Sequence, residues 1–453
     1  MSLTWKFRSA IPAIEWPAVP GPAAATALAL QFQLDQTQWW STAELERQQF
    51  RQLDLVLKYA YDTLRFWRRR LKAAGYTPVH PGTPESLRSL PLLTRAEVQA
   101  HGEELFSRAI PPSHGAAATG QTSGSTGQPI VYYDSELSQL YWRAFTLREH
   151  AWQARDLSGK LAAIRTGIDE FSAPGWGAAT DPAFETGPAV GLNIGTDLGV
   201  QLEWLQAQNP DYLITYPSNL RALARRALVS GATLPRLRQA RTYGETLPPE
   251  LRELCRRAWN VPLADIYSAM EVGYIALQCP QHEHYHVQAE NMIVEILDDH
   301  NKPCSPGAVG RVVVTTLHNF AMPLIRYDIG DYAEVGEACD CGRGLPVLNR
   351  ILGRVRNILT LPDGRQHWAS FPSSKWSPAV PVVRQLQMVQ KSRDTILLRI
   401  VAPRQLTGEE RRKLVALLQD CLGYPFDMVI EQVDELARAA NLKFEEFVSE
   451  IAL

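Results

Sequence analysis

Apolar residues recur along the chain with two different periods, and the period changes mark its predicted elements. Between residues 42 and 64 they fall every three to four positions, which is the period of an amphipathic helix. Ser41 or Thr42 is expected to cap this helix, and the basic run of residues 68–72 before Gly75 is typical of its end. The preceding segment, residues 1–40, contains several Pro and Trp residues and is expected to be irregular.

Residues 134–260 alternate short apolar runs with helical patterns. Residues 212–228 are expected to form a strand, a tight turn at Pro217 and a helix capped by Ser218, and residues 240–259 repeat the scheme with a helix starting near Pro248. Alternating strands and helices at this spacing favour parallel strands joined by crossover helices. Ligands of such sheets bind beyond the carboxyl ends of the strands.

The pattern changes again after residue 287, where strands separated by turns predict a mainly antiparallel subdomain. Strands at 384–389 and 395–401 and a helix at 407–422 then predict a small α+β module. The predicted fold class is therefore α/β. A large N-terminal domain, residues 1–355, has βα layers and the antiparallel subdomain, and a small mobile α+β C-terminal domain covers residues 356–453.

Composition limits the kinds of partner. The chain has 453 residues, 45% of them hydrophobic, and a formal net charge of -2, which is typical of a globular protein with ample core. Such a balanced charge gives no electrostatic support for binding to nucleic acid or to an anionic membrane. The start of the chain has no apolar signal-peptide core, and the run from Ala23 to Leu30 is too short to span a bilayer, so a cytoplasmic protein is expected.

A stretch rich in Gly, Ser and Thr extends from Thr119 to Pro129 and is followed by a β-prone run. Glycines allow close approach of the backbone to a ligand, and consecutive N–H groups together with hydroxyls form an anion-binding concavity. Such a loop suits the phosphates of a nucleotide, although its glycine spacing is not that of a Walker A loop. A flexible linker is the alternative interpretation.

Three of the six cysteines are candidates for metal binding. Cys279 is followed by three nearby histidines, and Cys339 and Cys341 form a CxC motif. Three thiolates and one imidazole make a closed, structural type of zinc site. Reduced cysteines without a metal are the alternative. Cys255 and Cys421 lie in helical patterns and are expected to be packing residues.

Four polar clusters follow the glycine-rich loop. They are "YGE" (Tyr243, Gly244, Glu245), "YSAME" (Tyr267–Glu271), "YDIGD" (Tyr327–Asp331) and "GR" (Gly353, Arg354). Asp331, after a Gly at a strand end, could accept hydrogen bonds from two ribose hydroxyls. Glu271 could hold magnesium on a triphosphate, and Tyr267 could stack on a purine. Each acid taken alone could equally be a solvated surface charge.

The order and spacing of the glycine-rich loop and the four clusters are more specific than any one of them. The chain resembles the superfamily of acyl-adenylate-forming enzymes, and within it the phenylacetate–CoA ligase-like branch. The resemblance extends along nearly the whole chain and includes the segments "LPLLTRAEV", "CPQHEHYHV", "CDCGRGLPVLNRILGR" and "LKFEEFVS".

The resemblance implies a role for each matching residue. Glu271 would contact magnesium, Arg354 would assist, and Lys443 would reach the reacting carboxylate and the α-phosphate. The zinc ligands would be Cys279, Cys339, Cys341 and His286, with His282 as second choice for the histidine. The residues implied to bind ATP are Thr122, Ser123, Gly124, Ser125, Thr126, Gly127, Tyr243, Gly244, Glu245, Tyr267, Ser268, Asp331 and Arg354.

Several positions depart from the family pattern. Arg356 and Asn357 replace the acidic pair that usually follows "GR", Leu442 replaces a Gly before the terminal lysine, and Ile130 replaces a Lys. "LPDGRQHW" stands where relatives have a Gly-rich loop used in the thioester-forming conformation. These changes affect transfer to a thiol more than adenylation.

The resemblance therefore implies an enzyme that uses ATP and Mg²⁺ to activate a carboxylic acid as acyl-AMP and then passes the acyl group to a thiol, for which CoA is expected. The alternatives are an amine, hydroxyl or carrier-protein thiol as acceptor, or a non-catalytic scaffold protein. The acyl pocket is expected within residues 132–245. Tyr132, Trp142, Trp176 and Tyr216 are its aromatic candidates, and they would suit an aryl acid. A homodimer is left open.

Overall fold

The computed structural model describes residues 5–78, 82–122, 130–354, 358–369, 371, 376–436 and 446–451. Its helices are α1 (Pro22–Thr37), α2 (Thr42–Thr63), α3 (Arg65–Ala73), α4 (Pro84–Arg88), α5 (Arg95–His101), α6 (Glu136–Trp152), α7 (Leu198–Gln208), α8 (Pro217–Ser230), α9 (Leu251–Trp259) and α10 (Gly408–Leu422). Short 3₁₀ helices lie at Gly102–Leu105 and Pro112–His114.

The strands of the N-terminal part are β1 (Ala117–Gln121), β2 (Val131–Ser135), β3 (Leu161–Arg165), β4 (Phe171–Ala173), β5 (Ala189–Asn193), β6 (Tyr212–Thr215), β7 (Gln239–Tyr243), β8 (Leu263–Ala269), β9 (Gly273–Gln278), β10 (Tyr285–Val287), β11 (Met292–Leu297), β12 (Val309–Thr316), β13 (Tyr327–Val335) and β14 (Val347–Arg354). After these come β15 (Ile358–Thr360), β16 (Gln366–Trp368), β17 (Gln385–Gln390), β18 (Thr395–Val401), β19 (Asp427–Gln432) and β20 (Phe447–Ser449).

One sheet of twelve strands forms the centre of the molecule, in the order β11-β12-β13-β14-β10-β9-β8-β7-β6-β3-β5-β4. Strands β5, β3, β6, β7 and β8 run parallel, as the alternation of strands and helices predicts. The strands from β11 to β14 are antiparallel, also as predicted. Strands β10 and β9 connect them to β8, which is the first strand of the parallel half.

Two layers of helix cover the parallel half. On one face α7, α8 and α9 pack on the sheet through buried residues such as Leu205, Leu220 and Cys255. On the other face α6 contributes Phe145 to a second cluster with Ile266 and Tyr274. The predicted packing role of Cys255 is confirmed, and removing its side chain from water stabilises the fold through the hydrophobic effect.

A smaller sheet lies at the end of the chain, in the order β19-β18-β17-β20, and α10 packs on it. It has its own core, which includes Met388, Leu398, Leu414 and Leu418. The predicted α/β class with a large N-terminal part and a smaller α+β part is thus confirmed.

Local chemistry explains the helix starts. Ser41 and Glu44 form a reciprocal capping box at the start of α2, and Thr94 and Glu97 do so at the start of α5. Each box satisfies two backbone N–H groups that the first helical turn leaves without partners.

Four local predictions were wrong. Residues 1–40 are not irregular throughout, because Pro22 at a first helical position and the Ala-rich sequence after it form α1. The long helix predicted from residue 42 to Gly75 is broken at Leu64, whose φ of -112° and ψ of 114° are extended. The cap of α8 is Tyr216 and not Ser218, because Pro217 occupies the first helical position. Asp331 lies within β13 and not at its end.

In the described part of the chain, no helix combines the length and the apolar character that crossing a membrane requires.

Candidate active site

A cleft of about 1390 Å³ opens at the carboxyl ends of β3, β6, β7 and β8. Parallel strands end at the same edge of their sheet, so the loops that follow them converge there. The site residues predicted from the sequence that line this cleft are Thr122, Tyr243, Gly244, Glu245, Tyr267, Ser268, Glu271, Asp331 and Arg354. Positions up to 232 residues apart in sequence are therefore brought into one cavity of a size that suits a nucleotide with a second small molecule.

Asp331 and Arg354 form an ion pair on neighbouring strands. The two residues are register partners of the antiparallel β13 and β14, and Arg354 Nε lies 3.2 Å from Asp331 Oδ1. The Tyr267 hydroxyl donates to the other carboxylate oxygen, Oδ2, at 2.9 Å. Gly330, with a φ of +81°, precedes Asp331 in a conformation that favours glycine.

Electrostatics keep Arg354 in its charged form. Burial opposes the charge of Arg354, but Asp331 and then Glu271 stabilise it and raise its pKa above the ordinary value. Burial, followed by the charge of Asp331, raises the pKa of Tyr267 well above its ordinary value. Tyr267 therefore stays a hydrogen-bond donor at neutral pH.

Glu271 lies in the turn between β8 and β9 and is 5% exposed. Its Oε1 accepts a hydrogen bond from the Tyr327 hydroxyl at 3.2 Å and lies 3.8 Å from Arg95 Nη1. A buried carboxylate held in this way keeps one orientation. Neither Arg95 nor Tyr327 was predicted as a site residue, although Tyr327 begins the "YDIGD" motif.

The "YGE" motif begins at the last residue of β7, at the mouth of the cleft. Tyr243 packs on Tyr216 with ring centroids 5.0 Å apart. Gly244 has a φ of +77°, which turns the chain away from the strand. Glu245 Oε2 accepts from the backbone N–H of Ser218 at 2.9 Å, at the positive end of α8.

The glycine-rich loop begins and ends at a tight neck. Thr122 and Ile130 face each other in two hydrogen bonds, of 2.8 Å from Thr122 N to Ile130 O and 2.9 Å from Ile130 N to Thr122 Oγ1. The neck extends the antiparallel pair β1 and β2. Ser123, Gly124, Ser125, Thr126 and Gly127 lie outside the described residues, as do Lys443, Arg356, Asn357 and Leu442.

Away from the mouth, the cleft continues between α6 and the face of the sheet that carries Ala163, Ile214 and Arg241. All four aromatic candidates for the acyl pocket, Tyr132, Trp142, Trp176 and Tyr216, line the cleft.

Charged groups lie under this part of the cleft. Arg155 binds both carboxylate oxygens of Glu149, and Arg241 Nη2 lies 3.3 Å from Glu149 Oε2. Burial alone would raise the pKa of Glu149, but Arg155 and then Arg241 lower it to about 2. His150, 3.0 Å from Arg155 through Nδ1, is fully buried, and burial followed by the charge of Arg155 lowers its pKa well below the ordinary value. These residues were not predicted, because their contacts join α6 to β7 across the fold.

A contact links the end of the chain to α8. Glu446, just before β20, forms a short ion pair with the buried Arg221 of α8, and Glu250 lies 3.9 Å from the same guanidinium. Burial opposes the charge of Arg221, but Glu446 raises its pKa above the ordinary value. Glu446 and Phe447 also line the cleft, so the C-terminal part forms one of its walls.

A separate cysteine–histidine cluster, defined here as Cys279, His284, His286, Cys339 and Cys341, joins the end of β9, β10 and the loop before β14. Cys279 Sγ lies 3.9 Å from Cys339 Sγ, His284 Nε2 3.1 Å from Cys339 Sγ, and Cys341 Sγ 3.4 Å from His286 Nε2. The ligand atoms of Cys279, His284, His286 and Cys339 all lie within 4.8 Å of one another. The sulfurs of a tetrahedral zinc site, with Zn–S bonds of about 2.3 Å, are about 3.8 Å apart.

The cluster contains one more histidine than the prediction. His284, which had not been singled out, lies beside Cys339, whereas His282, the second choice, contacts Asp340 at 2.6 Å through Nε2. Burial, the largest influence, lowers the pKa of His286 to about 4, so its imidazole is neutral at pH 7 and free of the proton that competes with a metal. The alternating CxxHxHxH spacing was the available signal for His284. In extended chain, residues two positions apart lie on the same face, so His284, just before β10, and His286, within it, point to the same side.

Comparison with known proteins finds ligases that are similar to the chain. No family model matches it. Phenylacetate-coenzyme A ligase of Thermus thermophilus is 27% identical over 333 residues, 70% of this chain and 72% of that ligase. Its counterpart in Escherichia coli is 26% identical over 337 residues, 72% of this chain and 75% of that ligase.

Among solved structures, 2-hydroxyisobutyryl-CoA ligase in the postadenylation state, in complex with R3-HIB-AMP, matches with a TM-score of 0.73 and 18% identity over 92% of each chain. At this identity the match shows the fold. Together with the phenylacetate-coenzyme A ligase relatives, it confirms the resemblance inferred from the motifs.

Proposed function

We propose, from the chain's homology to phenylacetate–CoA ligases and its adenylate-forming fold, that the protein is an ATP-dependent acid–thiol ligase. It would convert a carboxylic acid to an acyl-adenylate with release of pyrophosphate and then transfer the acyl group to CoA. The observation that carries the proposal is that Asp331, Arg354, Tyr267, Glu271 and the "YGE" motif line one cleft.

The nucleotide would lie across the strand ends. Asp331, held by Arg354 and Tyr267, offers carboxylate oxygens to the ribose hydroxyls. Tyr243, Gly244, Glu245 and Ser268 would surround adenine with Tyr267. The loop from Thr122 to Gly127 would hold the phosphates through backbone N–H groups and hydroxyls.

The first half-reaction needs charge neutralisation more than a general base. One oxygen of the acid attacks the α-phosphorus in line, the bond to the bridging oxygen breaks, and pyrophosphate leaves. Lys443 would stabilise the charge that develops between the carboxylate and the α-phosphate. Arg354 and the phosphate loop would contribute further positive charge and donors.

Glu271 fits a role as magnesium ligand, since it is a carboxylate in the cleft wall whose orientation Tyr327 and Arg95 fix. Magnesium usually takes only one or two protein carboxylates and completes its shell with phosphate oxygens and water. When bound, the ion would neutralise phosphate charge during departure of pyrophosphate.

In the second half-reaction the CoA sulfur, as thiolate, attacks the acyl carbonyl carbon, and AMP leaves with the electrons of the acyl–oxygen bond. The chain would divide into residues 1–355 and a mobile C-terminal domain, residues 356–453, whose rotation would withdraw Lys443 and admit the thiol. The separate core of the smaller sheet supports this division.

The cysteine–histidine cluster would hold a structural Zn²⁺. The donors suit the ion, and their spacing is close to that of a tetrahedral site. Cys279, Cys339 and His286 agree with the ligands implied by the family resemblance, and His284 or Cys341 would supply the fourth. When bound, the ion would tie the β9–β10 hairpin to the loop between β13 and β14.

A second candidate function differs in the acceptor of the acyl group. Arg356 and Asn357 replace the acidic pair expected after Arg354, and this favours considering an amine, a hydroxyl or a carrier-protein thiol as the acceptor.

Product analysis tests the proposal. The purified protein is incubated with ATP, Mg²⁺ and single carboxylic acids, with and without CoA. The products are separated by chromatography and identified by mass spectrometry. We expect acyl-AMP without CoA, and acyl-CoA with AMP when CoA is present. Persistence of acyl-AMP in the presence of CoA would favour the other acceptors, and formation of neither product from any acid would count against the ligase.

A further inference from the structure

The end of the cleft that lies farthest from the proposed adenylate site is lined by both polar and aromatic residues. Trp142 and Trp176 line it, and so do Thr146, His150 and Arg241. We call the last three residues, with Tyr274, the deep polar end of the cleft. Arg241 projects on the same face of β7 as Tyr243, because side chains two positions apart in a strand share a face.

The buried charges at this end do not balance. Arg155 and Arg241 are both buried beside a single carboxylate, Glu149, which already accepts hydrogen bonds from Nη1 and Nη2 of Arg155. The other titratable neighbours are His150, which burial keeps neutral at pH 7, and the phenols of Tyr274 and Tyr243. The acid Asp265 points to the opposite face of the sheet, where it accepts from Thr242 and Tyr285. The described groups around Arg241 thus leave one positive charge in excess.

Arg241 is also incompletely hydrogen-bonded. Its Nη2 lies 3.3 Å from the Tyr274 hydroxyl and 3.3 Å from Glu149 Oε2, and both contacts are long for a buried guanidinium. Its Nε is buried and has no partner among the described residues. A buried donor without a partner loses the hydrogen bond that it would make to water, so a ligand that supplies an acceptor here would be favoured.

We propose that the acid activated by this enzyme is an aryl acid that carries a second acceptor group, preferably a carboxylate, remote from the carboxylate that reacts. Arg241 receives this group, and His150, Thr146 and Tyr274 complete a polar surface around it. The aromatic residues Trp142 and Trp176 contact the ring. This inference rests on the proposed function, and it makes Arg241 a determinant of specificity.

Paired acids test the inference. ATP–pyrophosphate exchange is measured with benzoate, 4-methylbenzoate, 4-hydroxybenzoate and benzene-1,4-dicarboxylate, and with the corresponding phenylacetates, which are one carbon longer. Within at least one series we expect the carboxyl-substituted acid to exceed the methyl-substituted acid by about 10- to 100-fold in kcat/KM, which is the order of the gain from one hydrogen bond between charged groups. A preference for the hydroxyl-substituted acid would support a neutral acceptor in place of the anion.

Arg241→Met separates recognition from folding. We expect this variant to lose the preference for the carboxyl-substituted acid over the methyl-substituted acid. Arg241→Lys should retain part of the preference. Arg238→Met is the matched control, because Arg238 is exposed just before β7 and pairs with Asp156 and Asp211 outside the cleft. A purely structural role for Arg241 would lower activity with both acids alike.

The outcomes distinguish the two proposals. Exchange that is equal for apolar and polar acids in the unmodified enzyme would overturn the inference while leaving the ligase in place, whether or not Arg241→Met folds. If no acid supports exchange, the proposed function fails, and acid binding is then followed by tryptophan fluorescence, to which Trp142 and Trp176 contribute. Tighter binding of the polar acids would support the proposal that the deep polar end of the cleft binds the second acceptor group, and equal or absent binding would overturn that proposal.

Discussion

Single carboxylates in the cleft are held in place by ion pairs and hydrogen bonds whose partners come from other elements of the fold. Asp331 is fixed by Arg354 from β14 and by Tyr267 from β8. Glu271 is fixed by Arg95 from α5 and by Tyr327 from β13. A carboxylate positioned before the ligand arrives loses little conformational entropy on binding, which is the general advantage of a preorganised site.

Replacing Asp331 tests the ribose contact. We expect Asp331→Ala to raise the KM for ATP about 10- to 100-fold, because it removes charged hydrogen bonds worth about 1.5–3 kcal/mol and leaves Arg354 without its carboxylate. Tyr267→Phe should have a smaller effect in the same direction. Glu334→Ala is the matched control, since Glu334 pairs with Arg350 across the same two strands. Equal KM values for the Asp331 and Glu334 variants would contradict the assignment.

Glu149 gives stability that depends on pH. Its pKa is about 2 in the folded protein, against about 4.3 in an unfolded chain, so its contribution is fully present above pH 4.3 and is lost as the pH falls towards 2. We expect Glu149→Gln to lower the free energy of unfolding at pH 7 by about 3–5 kcal/mol, because it leaves two buried arginines without a carboxylate.

Urea unfolding of the two proteins between pH 7 and pH 2 measures this difference. The difference should shrink steadily below about pH 4.3. A difference that stays constant over the whole range would show that the carboxylate charge is not its source.

At the scale of elements, what could be predicted from the sequence is what short-range chemistry determines. The helix cap at Ser41 and the strand–helix alternation around β6 and β7 involve neighbours in sequence, and they were predicted. The break at Leu64 lies inside an uninterrupted helical pattern with no Pro or Gly, so the sequence carries no local signal for it.

The candidate site divides in the same way. The motifs proposed to bind the nucleotide are contiguous in sequence and were recognisable, whereas Glu149, Arg155 and Arg241 acquire meaning only when α6 packs on β7. Arg95 was missed for the same reason, because its partner Glu271 lies far along the chain. His284 differs, since the CxxHxHxH spacing was a sequence signal for it.

The cysteine–histidine cluster connects three elements, and its metal content can be measured directly. We expect about one Zn²⁺ per chain by elemental analysis, and loss of that metal with a lower melting temperature in Cys339→Ser. Cys304→Ser is the matched control, since Cys304 lies outside the cluster and its Sγ donates to Val309 O at 3.7 Å. Metal-free protein with an unchanged melting temperature would contradict a structural zinc site.

The contact between Glu446 and Arg221 connects the smaller sheet to α8. Since the Glu446 side chain is 32% exposed, we expect its loss to cost about 1 kcal/mol, or about a 5-fold slower adenylation in Glu446→Gln. Transfer from preformed acyl-AMP to CoA should be less affected, because it would use another arrangement of the C-terminal part.

Single-turnover rates of the two half-reactions distinguish these effects. Glu450→Gln is the control, because Glu450 pairs with Lys391 on the surface of the smaller sheet. Equal slowing of both half-reactions would indicate a general loss of stability.

For the whole molecule, the twelve-stranded sheet brings the loops after its parallel strands into the same cleft as β13 and β14, which supply Asp331 and Arg354. The smaller sheet adds Glu446 and Phe447 to the remaining wall. A cleft shared by two parts of a chain is well suited to a reaction in two steps, because a change in one wall can exchange the catalytic groups while the adenylate stays bound.

The most direct test of the ligase is ATP–pyrophosphate exchange in the presence of a single carboxylic acid, because exchange requires reversible formation of acyl-AMP. We predict exchange that depends on the acid and on Mg²⁺, that falls by at least about 100-fold in Lys443→Ala, in keeping with the loss of a group that stabilises transition-state charge, and that persists in Lys413→Ala, an exposed lysine of α10. Exchange in the unmodified protein that Lys443→Ala leaves unchanged would contradict the role of Lys443. The absence of exchange with every acid would contradict the central claim.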